Sequence, residues 1–287
     1  MESQKQIYPI KLLCRVMQVQ RSAYYLYASR KSFRHSPLTA AVKECFFVNR
    51  RRYGSRRIAA SLKIGRALVQ EVMRRENLRA IQPRSFILKT TDSKHGLPVC
   101  ANLLQDGVNS PTAKSAVFVG DITYLRLQNG KFCYLACLQD KFTRRILAWK
   151  VSQRMTAQLV IDVFLQARRR GLIGKNAIIH SDQGSQYASV EYRRLLYING
   201  FRQSMSRKGN CYDNAQAESF FSRFKAEVVE NGIFESVEDA RSEVFSYIEG
   251  YYNRIRLHSG LGYKSPLEFE NELNLKTKLR SSESFVS

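Results

Sequence analysis

The sequence predicts an α/β protein in which a small all-α region precedes a mixed five-stranded sheet flanked by helices. Three observations predict this fold class. Residues 1–90 carry apolar residues at helical spacing, and β-rich runs begin only after residue 115. From there the predicted elements follow the order β-β-β-α-β-α-β-α-α, which is typical of a mixed sheet covered by helices. With 287 residues, 44% of them hydrophobic, the chain can bury a sizeable core in one or two domains.

The helical region, residues 1–90, begins with "PIKLLCRVMQVQRSAYYLYASR", which has apolar residues at helical spacing. The segment from Ser36 to Ile81 then predicts three short helices, with turn signals at Tyr53-Gly54-Ser55 and at Gly65. Two short helices around a glycine turn suit a helix-turn-helix DNA reader. The arginines near these helices are Arg50, Arg51, Arg52, Arg56, Arg57, Arg74 and Arg75. A small helical bundle with solvated arginines is the alternative.

The charge balance favours a polyanionic partner. The formal net charge is +23 and the pI is about 10.0. Residues 1–100 hold 21 basic and 5 acidic side chains, whereas the remaining 187 residues hold 26 and 19. An excess concentrated in one third of the chain indicates DNA or RNA bound through phosphates. A basic surface that serves solubility stays open, whereas a membrane surface is disfavoured because no long amphipathic basic helix stands out.

The lack of an apparent targeting signal and the spacing of the cysteines narrow the class of protein further. No apolar run approaches the roughly 20 residues of a membrane span, and the N-terminus lacks a signal-peptide core, so we expect a cytoplasmic, nucleoid-associated protein without membrane contact. The six cysteines are scattered without a Cys-x-x-Cys pair, which favours reduced thiols over structural zinc.

Residues 91–112 are polar and lack periodicity, so they predict a linker. The α/β domain is expected over 113–272, followed by a flexible tail at 273–287. Within the domain, "AVFVGDITYLRL", "GKFCYLACLQD" and "RRILAWKVS" predict an antiparallel meander. An amphipathic helix, a strand at "NAIIHSDQ", a second helix and a short fifth strand at "FRQSM" follow. Two more helices complete the domain, and the last has a capping box at Ser236 and Asp239.

Three carboxylates occupy notable positions in this scheme. Asp121 lies within or at the end of the first strand, Asp182 ends the fourth, and Glu218 lies one turn into the long helix. On that helix a buried stripe is predicted at Ala217, Phe220, Phe221, Phe224 and Val228. Glu218, Ser222 and Lys225 share a different face, because positions i, i+4 and i+7 lie within about 40° of one another. An acid and a base therefore lie on one side of the helix.

Three acids near a sheet would repel one another and a polyanion, and a divalent cation removes both conflicts. Carboxylate oxygens suit Mg²⁺ or Mn²⁺, and two such ions can hold the attacking and leaving oxygens of a phosphoryl displacement. The alternative is that the three acids are unrelated surface or capping residues. A covalent tyrosine mechanism is disfavoured because "RLHSGLGY" lacks the second arginine that such chemistry needs.

Four motifs resemble the catalytic core of OrfB-type transposases of the insertion-sequence-3 family, relatives of retroviral integrases: "VGDITYL", "HSDQGSQYAS", "SMSRKGNCYDNAQAESFFSRFKAE" and "YYNRIRLHSGLGYKSPLEF". The spacing is similar to that family's DDE pattern, with 60 residues between Asp121 and Asp182 and 35 between Asp182 and Glu218. Lys225 matches the basic residue that the family places after the glutamate. "YGSRRIAASL" and "VMRRENL" are similar to its helix-turn-helix segment, and the resemblance covers roughly residues 50–270.

The resemblance implies an RNase H-like, integrase-type core in which Asp121, Asp182 and Glu218 are catalytic and hold two Mg²⁺ or Mn²⁺ ions. It implies cleavage of one strand at the element's ends, which frees a 3′-OH, and then attack of that 3′-OH on target DNA. The expected DNA contacts are Lys225, Arg207, Lys208, Arg56, Arg57, Arg51 and Arg52. The expected partners are the terminal inverted repeats, target DNA, further copies of the chain and an upstream OrfA-type protein.

The chain departs from the family pattern at three points. The segment between "SLK" and "VMRREN" is shorter, Phe118 stands where a Trp is common, and no heptad segment is present. Two alternatives therefore remain beside the transposase: an RNase H-like nuclease without strand transfer, and a catalytically idle DNA-binding regulator of the element.

Overall fold

The computed structural model describes residues 3–34, 37–82, 96–104, 114–174, 176–207, 215–228 and 233–283. These residues divide into two compact units, Met1–Ile81 and Gln82–Ser287. Among the described helices, none is both long and apolar enough to cross a membrane.

The first unit is helical throughout its regular structure. Its described helices are α1 (Ile10–Val16), α2 (Arg21–Arg34), α3 (Pro37–Val48), α4 (Ser55–Leu62) and α5 (Arg66–Arg75). The last three match the three predicted helices, and they pack on one another through the buried side chains of Val42, Phe46, Ile58, Val69 and Val72. Between α4 and α5 the chain turns at Lys63, whose φ of 54° is left-handed, and Gly65 caps α5.

The second unit is built on a mixed sheet. Its strands are β1 (Val117–Leu127), β2 (Phe132–Asp140), β3 (Ile146–Ser152), β4 (Ile178–Ser181), β5 (Arg202–Met205) and β6 (Ile233–Phe234). The strand order is β3-β2-β1-β4-β5, and β6 also pairs with β1. β1, β2 and β3 form the antiparallel meander that the sequence predicts, whereas β4, β5 and β6 run parallel to their neighbours.

Helices cover both faces of the sheet. The helices of the second unit are α6 (Ala157–Arg169), α7 (Ser185–Ala188), α8 (Val190–Ile198), α9 (Ala215–Val228), α10 (Val237–Phe245), a π-helix (Ser246–Tyr252), a 3-10 helix (Ser259–Leu261) and α11 (Pro266–Glu283). Helices α6, α7 and α8 share one apolar core with the sheet, and α9, α10 and the π-helix share a second. The prediction of a mixed sheet flanked by helices is confirmed.

Side-chain alternation along the strands supplies both cores. On β2, Ala136 and Leu138 belong to the first core, whereas Leu135 and Cys137 belong to the second. Successive side chains of a strand point to opposite faces, so one strand can feed two cores. This double burial explains why the central strands are apolar over nearly their whole length.

Three details differ from the sequence prediction. The sheet has a sixth strand, β6, whose two residues are too few to produce an alternation signal. Helix α7 also adds a short turn of helix after β4. Part of the predicted linker lies along β5, where the Leu103 amide donates to Ser204 Oγ (2.9 Å) and the Met205 amide donates to the Ala101 carbonyl (3.4 Å).

The tail boundary predicted at 273 falls inside α11, which continues to Glu283. A capping box starts this helix: the Glu268 amide donates to Ser265 Oγ (3.3 Å), and the Ser265 amide donates to Glu268 Oε2 (2.8 Å). Pro266 occupies the first helical position, where its missing N–H costs nothing. The "SPLE" sequence carries this signal, and it marks the start of a helix that includes most of the predicted tail.

Candidate active site

Strand register places Asp121 and Asp182 side by side. β1 and β4 pair in parallel, and the last pair of their ladder is Val119 with His180. Each aspartate lies two residues beyond that pair, on strands that run in the same direction. The β1–β4 pairing ends at Val119 and the β1–β6 pairing begins at Arg126, so Asp121 lies in the interval between the two.

A tight turn presents Asp182 beyond the end of β4. Asp182 Oδ1 accepts a hydrogen bond from the Gly184 amide at 3.0 Å. A Cβ added at Gly184 would lie 3.0 Å from the same Oδ1, so this turn needs a residue without a side chain. The Ser206 amide donates to the Ser181 carbonyl (2.9 Å), and Gln183 Nε2 donates to the Ser206 carbonyl (3.0 Å). The end of β5 thus fixes both sides of the turn.

Asp121 is partly buried and carries an electrostatic cost. Its Oδ1 accepts from the Ile122 amide at 2.8 Å. Burial raises the pKa of Asp121 well above its usual range, and the negative charges of Asp182 and Glu218 raise it further. The Ile122 amide and the Lys225 ammonium act in the opposite direction. The carboxylate at this position is therefore less stable than it would be in water.

Helix α9 brings Glu218 and Lys225 to the same place. The predicted stripe is confirmed at Ala217, Phe220, Phe221 and Phe224, which are buried, and Val228 is partly buried against the same core. Leu125 and Leu127 belong to this core and alternate in phase with Asp121 along β1. Asp121 therefore faces the side of the sheet that α9 covers.

Glu218 and Lys225 differ in exposure. The Glu218 side chain is largely exposed, but partial desolvation of its carboxyl and the charge of Asp182 raise its pKa. Lys225 is half-buried, with Nζ 4.1 Å from the centroid of the Tyr124 ring, a cation–π contact. Burial lowers the pKa of Lys225, and the charge of Asp121 opposes that shift. Three carboxylates and one ammonium thus lie within electrostatic reach of one another.

Sequence reasoning missed the residues beneath the acids. Tyr187, on α7, is buried and packs against Gly120, the residue before Asp121. A Cβ at Gly120 would lie 3.3 Å from both Cε1 and Oη of Tyr187, a close contact, so glycine lets the Tyr187 ring pack directly against the strand. Burial raises the pKa of Tyr187 well above its usual range, and the charges of Asp121 and Asp182 add to the rise. The glycine in "VGD" and the tyrosine in "GSQY" were the available signals.

His180 and the predicted contacts Arg207 and Lys208 follow β4 and β5 in the sequence or lie on them. His180 is fully buried and its Nδ1 lies 2.8 Å from Ser204 Oγ of β5, an arrangement that ties two strands together. Arg207 is exposed directly after Ser206, whose amide bonds to Ser181 beside Asp182. Lys208 and most of the predicted basic loop lie outside the described residues.

The predicted DNA-contact residues of the first unit surround α4. Arg51 and Arg56 are exposed, and Arg52 and Arg57 are half-buried. The Arg57 guanidinium lies 5.7 Å from the centroid of the Tyr53 ring. Arg51 has a left-handed φ of 61° and its amide donates to the Phe46 carbonyl at 3.0 Å, which closes the end of α3.

The carboxylates of the described residues would supply only part of the ligand shell of a divalent cation. Within the described residues, no group of three or more His, Cys, Asp and Glu side chains is arranged to hold a metal ion by itself. Mg²⁺ usually binds through one or two carboxylates and completes its shell with waters and substrate phosphates, without an all-protein cage. Asp182 raises the pKa of the adjacent Asp121 and of Glu218, and three carboxylates that repel one another in this way fit such a cation.

Comparison with known proteins agrees with this geometry. A family model described as an integrase core domain matches residues 111–211, and a second integrase core model matches residues 199–266. The chain is 39% identical over 279 residues to the transposase InsF for insertion sequence IS3A of Escherichia coli (strain K12), covering 92% of this chain and 95% of that protein. It is 37% identical over 269 residues to the uncharacterized 31 kDa protein of insertion element IS600 of Shigella sonnei, covering 91% and 98%.

Solved structures with similarity to the chain include two retroviral integrase cores. The HTLV-2 integrase catalytic core domain in complex with magnesium shares 14% identity, covers 55% of this chain and 97% of its own, and has a TM-score of 0.43. The catalytic core domain of BIV integrase shares 20% identity, covers 57% and 99%, and has a TM-score of 0.41.

The matched residues contain every element that carries Asp121, Asp182 and Glu218. The expectation of an RNase H-like, integrase-type core is confirmed, and the relationship to InsF extends over nearly the whole chain. The chain belongs to the IS3 family of insertion-sequence transposases: it is an enzyme of DNA transposition with an integrase catalytic core.

Proposed function

We propose that Asp121, Asp182 and Glu218 are the catalytic carboxylates of this transposase and that together they hold two divalent cations, Mg²⁺ or Mn²⁺. The supporting observation is the parallel register of β1 and β4, which sets Asp121 beside Asp182 in front of the helix that carries Glu218 and Lys225. Three mutually repelling carboxylates in a protein of charge +23 need a cationic partner, and the proposed ions supply it.

When bound, the cations supply charge neutralisation and a template for the attacking and leaving oxygens of phosphoryl transfer. Each residue has a separate part. Asp121, whose pKa is raised well above its usual range by burial, would be one of the residues that hold the ions. Asp182 is held by its turn, and Glu218 is exposed and accessible to the DNA. Lys225, oriented by the Tyr124 ring, and Arg207 would bind phosphates beside the acids.

The reaction consists of two in-line displacements. In the first, a water oxygen attacks the phosphorus at the end of the element, and the P–O3′ bond breaks to leave a 3′-OH on the element. In the second, that 3′-OH attacks a phosphorus of the target strand, whose own O3′ departs. Neither step needs a nucleophilic side chain, because positioning and charge neutralisation carry the catalysis. The buried Tyr187 phenol, whose pKa is raised, is poorly suited to covalent attack.

The first unit is proposed as the DNA-binding region, corresponding to residues 1–90, with a linker to the catalytic domain. Exposed Arg51 and Arg56 beside α4 support phosphate contacts, and the α4–α5 arrangement supports a helix-turn-helix role. Arg52 and Arg57 are proposed as further contacts, and so is Lys208. Two element ends must be held at once, so a homo-oligomer on DNA is expected, together with an OrfA-type partner. Such a protein would act in the cytoplasm, at the nucleoid.

The test is a cleavage and joining assay on a labelled duplex that ends in the element's terminal repeat. The chain is compared with Asp182→Asn, which keeps the shape of the side chain and removes its charge. Glu238→Gln, an exposed acid in the first turn of α10, is the matched control. We expect Mg²⁺- or Mn²⁺-dependent nicking and joined products from the wild type and the control, and neither from Asp182→Asn, while DNA binding persists in all three.

The other outcomes separate the alternatives. Nicking without joining by the wild type would favour an RNase H-like nuclease. Binding without cleavage, repeated with the OrfA-type protein fused upstream, would favour an idle regulator. Full activity of Asp182→Asn would contradict the assignment of the carboxylates themselves.

A further inference from the structure

The C-terminal motif "YYNRIRLH" begins in the last two residues of a π-helix that packs against α9. The π-helix, Ser246–Tyr252, continues directly from α10 and buries Tyr247, Ile248 and Tyr252 in the core shared with α9. The ring centroids of Tyr252 and Phe220, on α9, are 4.9 Å apart, and those of Tyr247 and Phe224 are 5.2 Å apart. π-helical turns are rare and concentrate at functional sites. The motif therefore forms the surface on which α9 rests.

A buried ion pair joins this motif to α9. Arg256 and Glu227 are 3% and 7% exposed. The guanidinium binds the carboxylate with two hydrogen bonds, from Nη2 to Oε1 (2.8 Å) and from Nε to Oε2 (3.1 Å). Tyr247 Oη donates a third, to Glu227 Oε2 at 2.9 Å. All three donors come from the π-helix or the residues that follow it, and they converge on one side chain of α9.

The motif is in turn fixed to the sheet. The Asn253 side chain pairs with the backbone of Ile146 on β3, accepting from its amide and donating to its carbonyl, both at 3.0 Å. Gln139 of β2 donates through Nε2 to Tyr252 Oη at 2.9 Å. Arg256 therefore extends from a segment whose position is set by two strands of the sheet that carries Asp121. The segment 247–256 therefore makes hydrogen bonds to the sheet through Tyr252 and Asn253 and to α9 through Tyr247 and Arg256.

We propose that the Glu227–Arg256 pair is a positioning device that sets the rotation and height of α9, and so places Glu218 and Lys225 opposite Asp121 and Asp182. The inference rests on the proposed function of those residues. The aromatic contacts of α9 are less directional than a charge-assisted fork, so they fix the rotation and height of the helix less tightly. A bidentate fork has one geometry, and Glu227 lies two residues from Lys225 and about 14 Å along the helix from Glu218 at 1.5 Å per residue.

A buried ion pair is an expensive way to stabilise a fold, because both charges lose their water. Apolar residues of similar volume often replace such a pair with no loss of stability. Its directional geometry supplies something that apolar packing does not, namely a fixed register between two elements. Because Glu227 lies on the helix that bears Glu218 and Lys225, a fixed position of the pair also fixes the position of those two residues.

The test separates positioning from stability with three variants. Arg256→Met leaves the Glu227 charge buried, the double variant Glu227→Leu/Arg256→Met replaces both partners with apolar groups, and Arg256→Lys keeps the charge without the fork. Glu270→Gln is the control, since it breaks a half-buried pair between Glu270 of α11 and Arg145 (2.6 Å), neither of which belongs to α9. Mn²⁺ binding by electron paramagnetic resonance, thermal unfolding and strand-transfer rates are measured on the full chain.

We expect Arg256→Met to lose stability and the double variant to recover it. Mn²⁺ affinity should stay roughly 10–100-fold weaker in the double variant and in Arg256→Lys, as for changes behind metal ligands. Glu270→Gln should bind Mn²⁺ like the wild type. Wild-type Mn²⁺ affinity and strand transfer in a stably folded double variant would overturn the inference. A Glu218→Gln variant distinguishes this failure: if it also keeps full activity and metal affinity, the proposed function of Glu218 fails instead.

Discussion

The proposed active site has two halves that are held in place by different forces. Asp121 and Asp182 belong to the sheet half, where backbone hydrogen bonds of the β1–β4 ladder fix both carboxylates two residues beyond one strand pair. Glu218 and Lys225 belong to the helix half, where α9 depends on aromatic packing and on the buried Glu227–Arg256 pair. The sheet half is set by strand register and backbone hydrogen bonds. The helix half is set by contacts between side chains.

This difference shows where each half can fail. A ladder has one register at the core, because a slip by one residue would turn every side chain to the other face. A helix packed on a core through phenyl rings has no such constraint, so its placement needs directional contacts. Substitutions in the sheet half should therefore act through charge and steric fit, whereas those in the helix half should act through geometry.

The largest effect is expected from removing the charge of the sheet half. Burial raises the pKa of Asp121, so the folded state holds its proton more tightly than the unfolded state. In the metal-free protein that raised pKa makes stability fall as pH increases from the ordinary aspartate range toward the folded-state pKa. Asp121→Asn should abolish strand transfer and yet raise the melting temperature at neutral pH by a few degrees. Thermal unfolding against pH, with and without Mg²⁺, measures this.

The Asn variant should also lose the stabilisation by Mg²⁺ that we expect for the wild type. Glu238→Gln, which removes an exposed acid on α10, serves as the control and should match the wild type in both respects. A lower melting temperature for Asp121→Asn without metal would show that the carboxylate is not desolvated in the folded protein.

An intermediate effect is expected from the steric fit beneath the sheet half. In Gly120→Ala the new methyl group would lie 3.3 Å from Tyr187, so β1 or α7 must shift. Overpacking of this kind typically costs about 1–3 kcal/mol. The shift would separate Asp121 from Asp182 and lower the rate of cleavage. Chemical denaturation and the nicking assay together report both effects.

A second substitution sharpens that experiment. Tyr187→Phe removes the Oη atom, which is one of the two closest atoms to the added methyl group, so it should recover part of the loss in the Gly120→Ala background. Strict additivity of the two changes would mean that the methyl group does not meet the tyrosine.

The smallest effect is expected at Lys225 in the helix half. Lys225→Met keeps the packing of the side-chain stem over Tyr124 and removes the ammonium, so stability should change little. The loss of one phosphate contact should weaken DNA binding and reduce the slope of log affinity against log salt by roughly 0.7–0.9. A salt titration of binding to the terminal repeat, with Lys225→Arg beside it, gives the value. An unchanged slope would place Lys225 away from the DNA.

The sequence predicted much of the site because periodicity and spacing are local. The apolar residues of β1 and β4 and the stripe on α9 identified Asp121, Asp182, Glu218 and Lys225, and the structure brings them within electrostatic reach of one another. The contact between Gly120 and Tyr187 was not predictable, because it joins residues 67 positions apart on separate elements. The extension of α11 to Glu283 was missed although its "SPLE" capping signal was present.

By itself, then, the sequence determined the mixed fold class, and it indicated the candidate carboxylates and a polyanionic partner, since each of these depends on residue type and on distance along the chain. Tertiary structure decided how α9 is held. The bonded residues Glu227 and Arg256 are 29 positions apart in the sequence, and Asn253 and Ile146 are 107 positions apart. No local sequence pattern predicts such pairings. A buried charge is stable only beside a partner of opposite charge, and folding brings Arg256 to Glu227 from a distant part of the sequence. The ion pair could therefore be recognised only from the tertiary structure.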